Sequence, residues 1–346
     1  MRCSIRPRIK FYGEPGRSSQ DPVHDVLMRT IAITGATGFI GRHLLASLAG
    51  RPDMTVHALA HQTPDHKLMR SERVRWFRGN LADPATFLTM IVPGATLINL
   101  AYPQHWSIPQ HLESSVALAE AAAERGVSRV IHLSTAVVVG RTPSAFVTED
   151  TPAHPKSSYG RTKLALEQLW RTRWAGKFDV AILRPSAVFG THGKNLLKLA
   201  HALTAGNRFS NYLRSCLYGR RKMNLVSVRN VVAAIELLIE RRSAINGQIF
   251  IASEDDDPIN NFRDVEVLLM NALGVARYSV PHVPIPPGVL RLLLRMLDSG
   301  KPDPFRAYDN SLLRRSGWIR RYTLADELSA FAAWYASGVK ENASNF

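Results

Sequence analysis

The sequence predicts an α/β protein, with a parallel β-sheet covered by helices on both faces and a smaller C-terminal lobe. Two observations carry this prediction. From Thr30 onward, short apolar runs alternate with helical segments, which is typical of parallel strands joined by crossover helices. After about Arg184 the alternation ends, and proline, arginine and short mixed segments replace it. We therefore divide the chain into residues 1–29, residues 30–185 and residues 186–346, with some segments of the last part returning to the first core.

Each predicted element follows from its local pattern. Apolar runs predict strands at residues 30–34, 55–59, 74–77, 95–100, 129–134 and 180–183. Helices are predicted at residues 38–48, 84–91, 111–125 and 158–171, the last capped by Ser157 or Ser158. In the C-terminal part, residues 226–242 read as a strand end plus a helix, and residues 290–297 and 324–335 as amphipathic helices. Residues 278–288 are proline-dense and continue neither kind of element.

Composition excludes several classes of protein. Cys3 and Cys216 are the two cysteines among 346 residues, so no disulfide framework is implied, and we expect a protein of the reducing cytoplasm. The best apolar stretch, residues 289–297, is short and contains Arg291 and Arg295, so we expect no transmembrane segment. That helix could touch a membrane surface, although packing within the second lobe is the simpler expectation.

The net charge of +16 indicates that the protein binds an anionic partner. The basic residues are spread along the chain and no nucleic-acid motif accompanies them, so we expect no nucleic acid partner. An anionic cofactor and substrate account for the charge more simply. The twelve histidines show no metal-ligand spacing with the cysteines, so we expect no metal.

Residues 1–29 are not expected to form part of the folded domain. Their cations lie among Pro, Gly and Ser without an apolar period, and no signal-peptide core is present. Acidic residues argue against a transit peptide. We expect a disordered leader, or a start assigned too far upstream of Met28.

A glycine turn follows the first predicted strand. Gly35 permits the tight turn, Gly38 lets the backbone approach a pyrophosphate, and Gly41 allows close packing of helix on strand. The turn therefore predicts a dinucleotide site at a helix N-terminus. Its further contacts would be Thr37, Phe39 and Ile40.

The second strand bears on the choice of cofactor. NAD enzymes usually hold the ribose with an acid about 20 residues past the glycines, whereas NADP enzymes offer positive charge. Here His61 ends the strand and Arg42 follows the last glycine. We expect NADP, with NAD as the alternative and a solvated Arg42 as the simplest other interpretation.

Tyr159 and Lys163 lie one helical turn apart on one face. An ammonium at that distance stabilises a phenolate, which would let a weak phenolic acid transfer protons near neutral pH. The preceding strand ends in Ser134 and Thr135, where an open parallel sheet places its ligands. Either hydroxyl could donate to a substrate oxygen, and chain position favours Thr135.

These motifs together resemble the extended short-chain dehydrogenases/reductases, in the nucleotide-sugar epimerase/dehydratase group. The similar segments are residues 34–41, 133–136 with Gly140, 159–163, 183–185 with 188–190, and the tail 316–318, 324–328 and 334–335. The resemblance implies catalytic roles for Thr135, Tyr159 and Lys163. It also implies that the cofactor is contacted by Asn80, Leu81, Leu100, Ala101, Tyr102, Tyr159, Lys163 and Pro185. We also expect the protein to be a homodimer.

The chain departs from that group in places. Tyr102 follows Leu100-Ala101 where an alanine is usual, and His111 stands where a supporting Asn is often found. Arg229 and Asn230 replace acidic residues. That replacement, together with Pro286-Pro287 and the basic run 220–222, is most similar to bacterial reductases of UDP-4-keto-amino sugars in surface-polysaccharide pathways.

We therefore expect NAD(P)-dependent hydride transfer on a nucleotide sugar, with reduction of a 4-keto sugar preferred over epimerisation. Arg220 and Arg221, with Lys222, could clamp the substrate diphosphate or lie in a solvated loop. Two alternatives stay open at this point: a reductase of a hydrophobic, steroid- or flavonoid-like ketone, and a non-catalytic NAD(P)-binding protein of the same fold.

Overall fold

A computed structural model of the chain describes residues 28–62, 71–174, 176–283, 285–286, 288–289 and 303–339. The first half contains, in chain order, β1 (Arg29–Thr34), α1 (Phe39–Leu48), β2 (Met54–Ala60), β3 (Val74–Arg78), α2 (Pro84–Met90), β4 (Thr96–Asn99), α3 (Ile108–Glu124), β5 (Arg129–Leu133), β6 (Phe146–Val147) and α4 (Ser158–Gln168). The second half contains β7 (Asp179–Pro185), β8 (Ala187–Phe189), α5 (Leu197–Ala205), α6 (Arg208–Tyr218), β9 (Leu225–Ser227), α7 (Val228–Glu240), β10 (Gln248–Ala252), α8 (Phe262–Ala272), β11 (Ala307–Tyr308), α9 (Ser311–Arg315) and α10 (Leu324–Trp334). The predicted leader and the predicted helix at 290–297 lie outside the described residues, except for Met28 and Arg29.

The centre of the molecule is a seven-stranded sheet in the order β10-β7-β5-β4-β1-β2-β3. Every pairing in it is parallel, so the predicted Rossmann-type sheet is confirmed. The order reverses between β1 and β4, which places the crevice for a ligand at the carboxyl ends of those two strands. The six predicted strands agree with the observed ones to within two residues. The seventh, β10, was not predicted.

The helices begin where capping residues allow. Ser157 caps α4 by accepting from the Gly160 N–H, and a π-helical turn, Leu169–Arg173, follows the helix. The third helix starts at Ile108, three residues before its predicted start at His111. Ser107 and Gln110 form a capping box there, a signal that the sequence contained.

Two apolar layers cover the sheet. One face packs against α1 and α7, with Leu44, Leu48 and Ile235 fully buried. The other packs against α2 and α3 and includes Trp170. The chain after β7 thus contributes both a strand and a helix to the first core, and the two halves share one sheet.

A third apolar cluster holds α5, α8 and α10 together beside the sheet. Two short parallel pairs, β8 with β9 and β6 with β11, connect this lobe to the carboxyl edge of the sheet. Asp255, just past β10, accepts hydrogen bonds from Asn224 Nδ2 at 2.6 Å and from the Tyr308 N–H at 2.8 Å. These contacts fix the walls of the cavity described next.

Candidate active site

A groove of about 450 Å³ runs along the glycine turn at the crevice between β1 and β4. Gly35 has φ +74°, and a Cβ there would come within 2.7 Å of the Ala101 nitrogen. A Cβ on Gly41 would come within 2.2 Å of the Gly35 oxygen. Gly38 is different, because a Cβ there would meet one atom, the Gly35 oxygen at 3.1 Å. Gly35 and Gly41 are therefore required by packing, whereas Gly38 borders open space.

The groove fits a dinucleotide. Gly38 is the N-cap of α1 and, among the described residues, no side chain caps that end and no acid lies in its first turn. The first N–H groups of α1 are thus available to an anion, at the positive end of the helix dipole. Apolar Leu59, Leu81 and Leu100 line the rest of the groove and suit an adenosine.

Most of the residues predicted to contact the cofactor line this groove: Gly35, Thr37, Gly38, Phe39, Ile40, Gly41, His61, Leu81, Leu100, Ala101 and Tyr102. Asn80 instead turns its Oδ1 to the Ala82 N–H at 3.0 Å, in the loop before α2. Arg42 lies on a neighbouring, larger cavity, with its guanidinium 3.4 Å from the Thr37 oxygen. Arg78 was not among the predicted cofactor contacts. It ends β3, where it pairs with Ala60 of β2.

The larger cavity, of about 1050 Å³, adjoins the groove. It is bounded by Thr135, Tyr159 and Pro185 on the sheet side. The opposite wall comes from later parts of the chain: residues 186–188, 192–195, Leu197, Met223, Asn224, Tyr308 and Trp334. Its charged lining residues within the described chain are Arg42 and Lys194, both positive, so the cavity favours an anionic ligand.

Thr135 and Tyr159 meet in this cavity. Both side chains line the cavity wall, and the Thr135 hydroxyl accepts from the Val137 N–H at 3.3 Å. Burial raises the pKa of the Tyr159 phenol, and the nearby Thr135 hydroxyl lowers it by less. The phenol is therefore a proton donor across the neutral range. The lowering of its pKa by Lys163, expected from the sequence, is not seen here.

Lys163 lies beneath the cavity floor and is 2 % exposed. Its Nζ donates to the Leu133 oxygen at 2.8 Å and lies 4.9 Å from the centre of the Tyr102 ring. Burial lowers the pKa of Lys163 to about 8, against the opposing charge of Glu167. Tyr102, in turn, packs edge-on against Tyr159 with ring centres 4.9 Å apart, so it joins the ammonium to the phenol.

His111 completes this arrangement from α3. Its ring stacks on Tyr102 at 4.4 Å, and its pKa is lowered by burial and by Lys163. In the sequence, His111 stands where a supporting Asn is often found. In the structure a neutral imidazole supports Tyr102 instead.

A buried ion pair joins helix α4 to strand β7. Glu167 of α4 accepts from Arg184 Nε at 2.9 Å and from its terminal nitrogen at 2.6 Å, and it also accepts from the Ser134 hydroxyl. Ser134 thus directs its hydroxyl into the protein. Ser134 nevertheless lines the larger cavity, and its contact with substrate stays a prediction.

The predicted diphosphate clamp lies away from the Tyr159 cavity. Arg220 borders a separate cavity of about 330 Å³ between α6 and α8, and Arg221 stacks on Tyr218 at 5.2 Å. Lys222 donates to the Asp255 oxygen at 2.7 Å. The sequence could not show that these side chains diverge.

Two features are absent from the residues that the structure describes. No three His, Cys, Asp or Glu side chains gather there in a way that could hold a metal ion. No helix in those ranges has both the length and the apolar character to cross a bilayer.

The fold and the site define a class of protein. A parallel sheet with a glycine turn, opening onto a Thr-Tyr-Lys set, is the arrangement of an extended short-chain dehydrogenase/reductase. A sequence model described as "NAD dependent epimerase/dehydratase family" matches residues 31–252. The chain belongs to that family, and the predictions of family and of an enzyme are confirmed.

Similar proteins are enzymes of nucleotide sugars. UDP-glucose 4-epimerase of Vibrio cholerae is 27 % identical over 245 residues, covering 66 % of this chain and 72 % of the relative. dTDP-glucose 4,6-dehydratase of Streptomyces griseus is 26 % identical over 328 residues, covering 88 % and 93 %. dTDP-4-dehydrorhamnose reductase of Mycolicibacterium smegmatis is 30 % identical over 203 residues, covering 56 % and 57 %.

Solved structures agree on the fold. UDP-glucuronic acid 4-epimerase from Bacillus cereus, in complex with NAD, has a TM-score of 0.65 at 20 % identity and covers 90 % of this chain and 98 % of its own. The Bordetella bronchiseptica enzyme WbmH, in complex with NAD⁺, has a TM-score of 0.69 at 19 % identity and covers 90 % and 99 %.

Proposed function

We propose that this chain catalyses NADP-dependent hydride transfer at a sugar carbon of a nucleotide sugar, most specifically the reduction of a 4-keto group. The observation that carries this proposal is that Thr135 and Tyr159 line the larger cavity together, close enough for the hydroxyl to act on the pKa of the phenol. The cavity adjoins the groove that fits a dinucleotide, so a carbonyl beside the pair would face the end of the cofactor.

The residues of the chain have distinct roles in that reaction. The groove at the glycine turn would hold the reduced dinucleotide, whose chemistry when bound would be the supply of a hydride to the carbonyl carbon. Thr135 polarises the carbonyl, and Tyr159 gives its phenolic proton to the oxygen as the C–O bond becomes single. Lys163 and Tyr102 hold the phenol in place. In the oxidative direction the phenolate form of Tyr159 would accept the proton, as epimerisation would need.

Replacement of the phenol tests this assignment. Tyr159→Phe should lower kcat by roughly 10²–10⁴-fold, because a general acid is lost, while the affinity for cofactor stays near that of the wild type. Steady-state kinetics with a UDP- or dTDP-4-keto sugar, and fluorescence titration of the cofactor, measure the two effects. Tyr212→Phe, on α6, is the matched control. If Tyr159→Phe lowers kcat by less than tenfold, the assignment of Tyr159 as the general acid is wrong.

The preference for NADP rests on the end of β2. No acid stands there to hold the ribose hydroxyls, and His61 lines the groove. Arg78 is exposed at the end of the adjacent strand β3. We infer that these two side chains, rather than Arg42 in the larger cavity, favour the 2′-phosphate.

An acid placed at the end of β2 should reverse this preference. His61→Asp should weaken NADPH binding and strengthen that of NADH, since the carboxylate repels the 2′-phosphate and accepts from ribose hydroxyls. Gln62→Asp, with the same added charge beside the groove, is expected to have the smaller effect. Fluorescence titration of both cofactors gives the ratio of affinities. Equal affinities in the wild type would reject the NADP assignment.

A hydrophobic ketone is the second candidate substrate. Val137, Val188 and Met223 line the larger cavity, whereas Arg220 and Arg221 lie elsewhere. A nucleotide sugar would have to place its diphosphate near Arg42 and Lys194. Turnover of 4-keto nucleotide sugars against steroid- or flavonoid-like ketones separates the two, and Arg42→Ala should raise KM for the nucleotide sugar alone.

A further inference from the structure

An unusual set of exposed apolar side chains lies on one part of the C-terminal lobe. Phe209 is 68 % exposed and Leu213 is 51 % exposed, both on α6. Val280 is 54 % exposed and Val283 is 64 % exposed, on the segment after α8. These four residues are called the α6 surface below. Folded proteins rarely leave such side chains grouped in water without a use.

The two parts of the α6 surface lie on neighbouring elements, because the second segment runs alongside the helix. Arg208 donates to the Ala276 oxygen at 3.1 Å, and Tyr212 Oη donates to the Pro281 oxygen at 2.8 Å. His282 Nε2 lies 3.0 Å from the Ser215 oxygen. Residues 209 and 213 are one turn apart on the helix face adjoining these contacts.

Basic residues surround this patch and acids are missing from the segments that build it. No Asp or Glu occurs between Asp179 and Glu236, or between Glu266 and Asp298. Arg208 and Arg214 lie on α6 itself, Arg208 also donates to the Arg277 oxygen at 3.0 Å, and Arg220 borders the cavity that His282 lines. Part of the chain's excess positive charge thus lies on the segments whose apolar side chains are exposed.

We propose that the α6 surface docks on a membrane that contains anionic lipids. Apolar side chains at the centre of a basic patch match a bilayer, where they enter the acyl boundary while the arginines meet phosphate headgroups. A second copy of the chain fits poorly, because it would bring the same arginines face to face. Nucleic acid would use the arginines but leave the valines and Leu213 unexplained. This inference does not depend on the proposed reaction.

Vesicle sedimentation with the full chain tests the proposal. The wild type should sediment with phosphatidylcholine vesicles containing phosphatidylglycerol, much less with phosphatidylcholine alone, and less as salt rises. The double variant Phe209→Ser/Leu213→Ser should partition about tenfold or more weakly, because it removes the inserted apolar groups. Ile319→Ser is the matched control, being 74 % exposed on the loop where Arg320 pairs with Asp256.

A charge variant gives a second, independent measurement. Arg214 is exposed, and Arg214→Glu should lower partitioning on anionic vesicles by about fivefold or more. The proposal is overturned if the wild type does not bind anionic vesicles. It is also overturned if both variants partition onto these vesicles as strongly as the wild type. It is also overturned if light scattering shows a wild-type dimer that Phe209→Ser/Leu213→Ser dissociates, since a second copy then covers the surface.

Discussion

At the scale of single residues, we infer that the protonation state of Lys163 controls the site. It is buried, its pKa is lowered to about 8, and its ammonium contacts the Leu133 oxygen and the Tyr102 ring. Below about pH 8 the ammonium is charged, and above that pH it is neutral. The Tyr159 phenol, whose pKa burial raises, keeps its proton through this range.

We therefore expect kcat/KM for ketone reduction to fall on the alkaline side with a midpoint near pH 8, because the charge that orders Tyr102 and the phenol is lost. The pH profile of the free enzyme, measured as kcat/KM, reports this titration. Thermal melts at each pH serve as the control for unfolding. A profile that stays flat until the phenol itself titrates would contradict the role given to Lys163.

The sequence predicted which residues would meet, but not their electrostatics. The spacing of Tyr159 and Lys163 puts both on one helix face, and the structure brings Thr135 to the phenol. The shift in the pKa of Lys163 arises from burial under a strand and a loop, which no local pattern encodes. Arg220 and Arg221 show the same limit. The directions of two adjacent side chains in a loop depend on contacts with residues that are distant in the sequence.

At the scale of elements, the buried pair Glu167–Arg184 joins α4 to β7 and so holds Tyr159 and Lys163 against the sheet. Glu167→Ala should lower the free energy of unfolding by about 3–5 kcal/mol, because it leaves a buried guanidinium without its partner. Glu120→Ala, which breaks the exposed pair with Arg173, should cost at most about 1 kcal/mol. Urea unfolding measures both. Similar losses in the two variants would mean that the buried pair does not fasten the helix.

Elements were predicted well where a local pattern was sufficient. The six predicted strands combine apolar runs with turn residues at their ends, and Ser157 marks the start of α4. The strand β10 was not found because its five residues follow a long helix and a loop, outside the regular alternation. Its place beside β7 depends on pairing with a strand more than 60 residues earlier, which only the folded sheet shows.

At the scale of the whole molecule, acids after β10 hold the two lobes together. Glu254 accepts from the Ser227 N–H at 3.0 Å and from Asn230 Nδ2 at 2.8 Å, and burial raises its pKa to about 7. Burial likewise raises the pKa of Asp255, to about 6. The folded state thus keeps these protons at pH values where the unfolded chain, with carboxyl pKa values near 4, has lost them.

The free energy of unfolding should therefore fall as pH rises from about 4 to about 7, since the folded state binds more protons than the unfolded state there. Each unit of pKa shift corresponds to about 1.4 kcal/mol. Glu254→Gln should flatten this part of the profile, whereas Glu240→Gln, an exposed carboxylate, should leave it unchanged. Denaturant unfolding at pH 5, 6, 7 and 8 measures it. A Glu254→Gln profile as steep as the wild type's would refute the linkage.

The order of residues along the chain also has a consequence for synthesis on the ribosome. The nucleotide groove is complete once Gln104 and Leu133 are in place, whereas the far wall of the larger cavity includes Tyr308 and Trp334. At 5–20 residues per second, roughly ten seconds or more separate the two. During that interval the nascent chain exposes the edge of β7, which β10 later covers. Dinucleotide that binds the early half would stabilise it by mass action. The cofactor would then serve as a folding ligand before the site can accept its substrate.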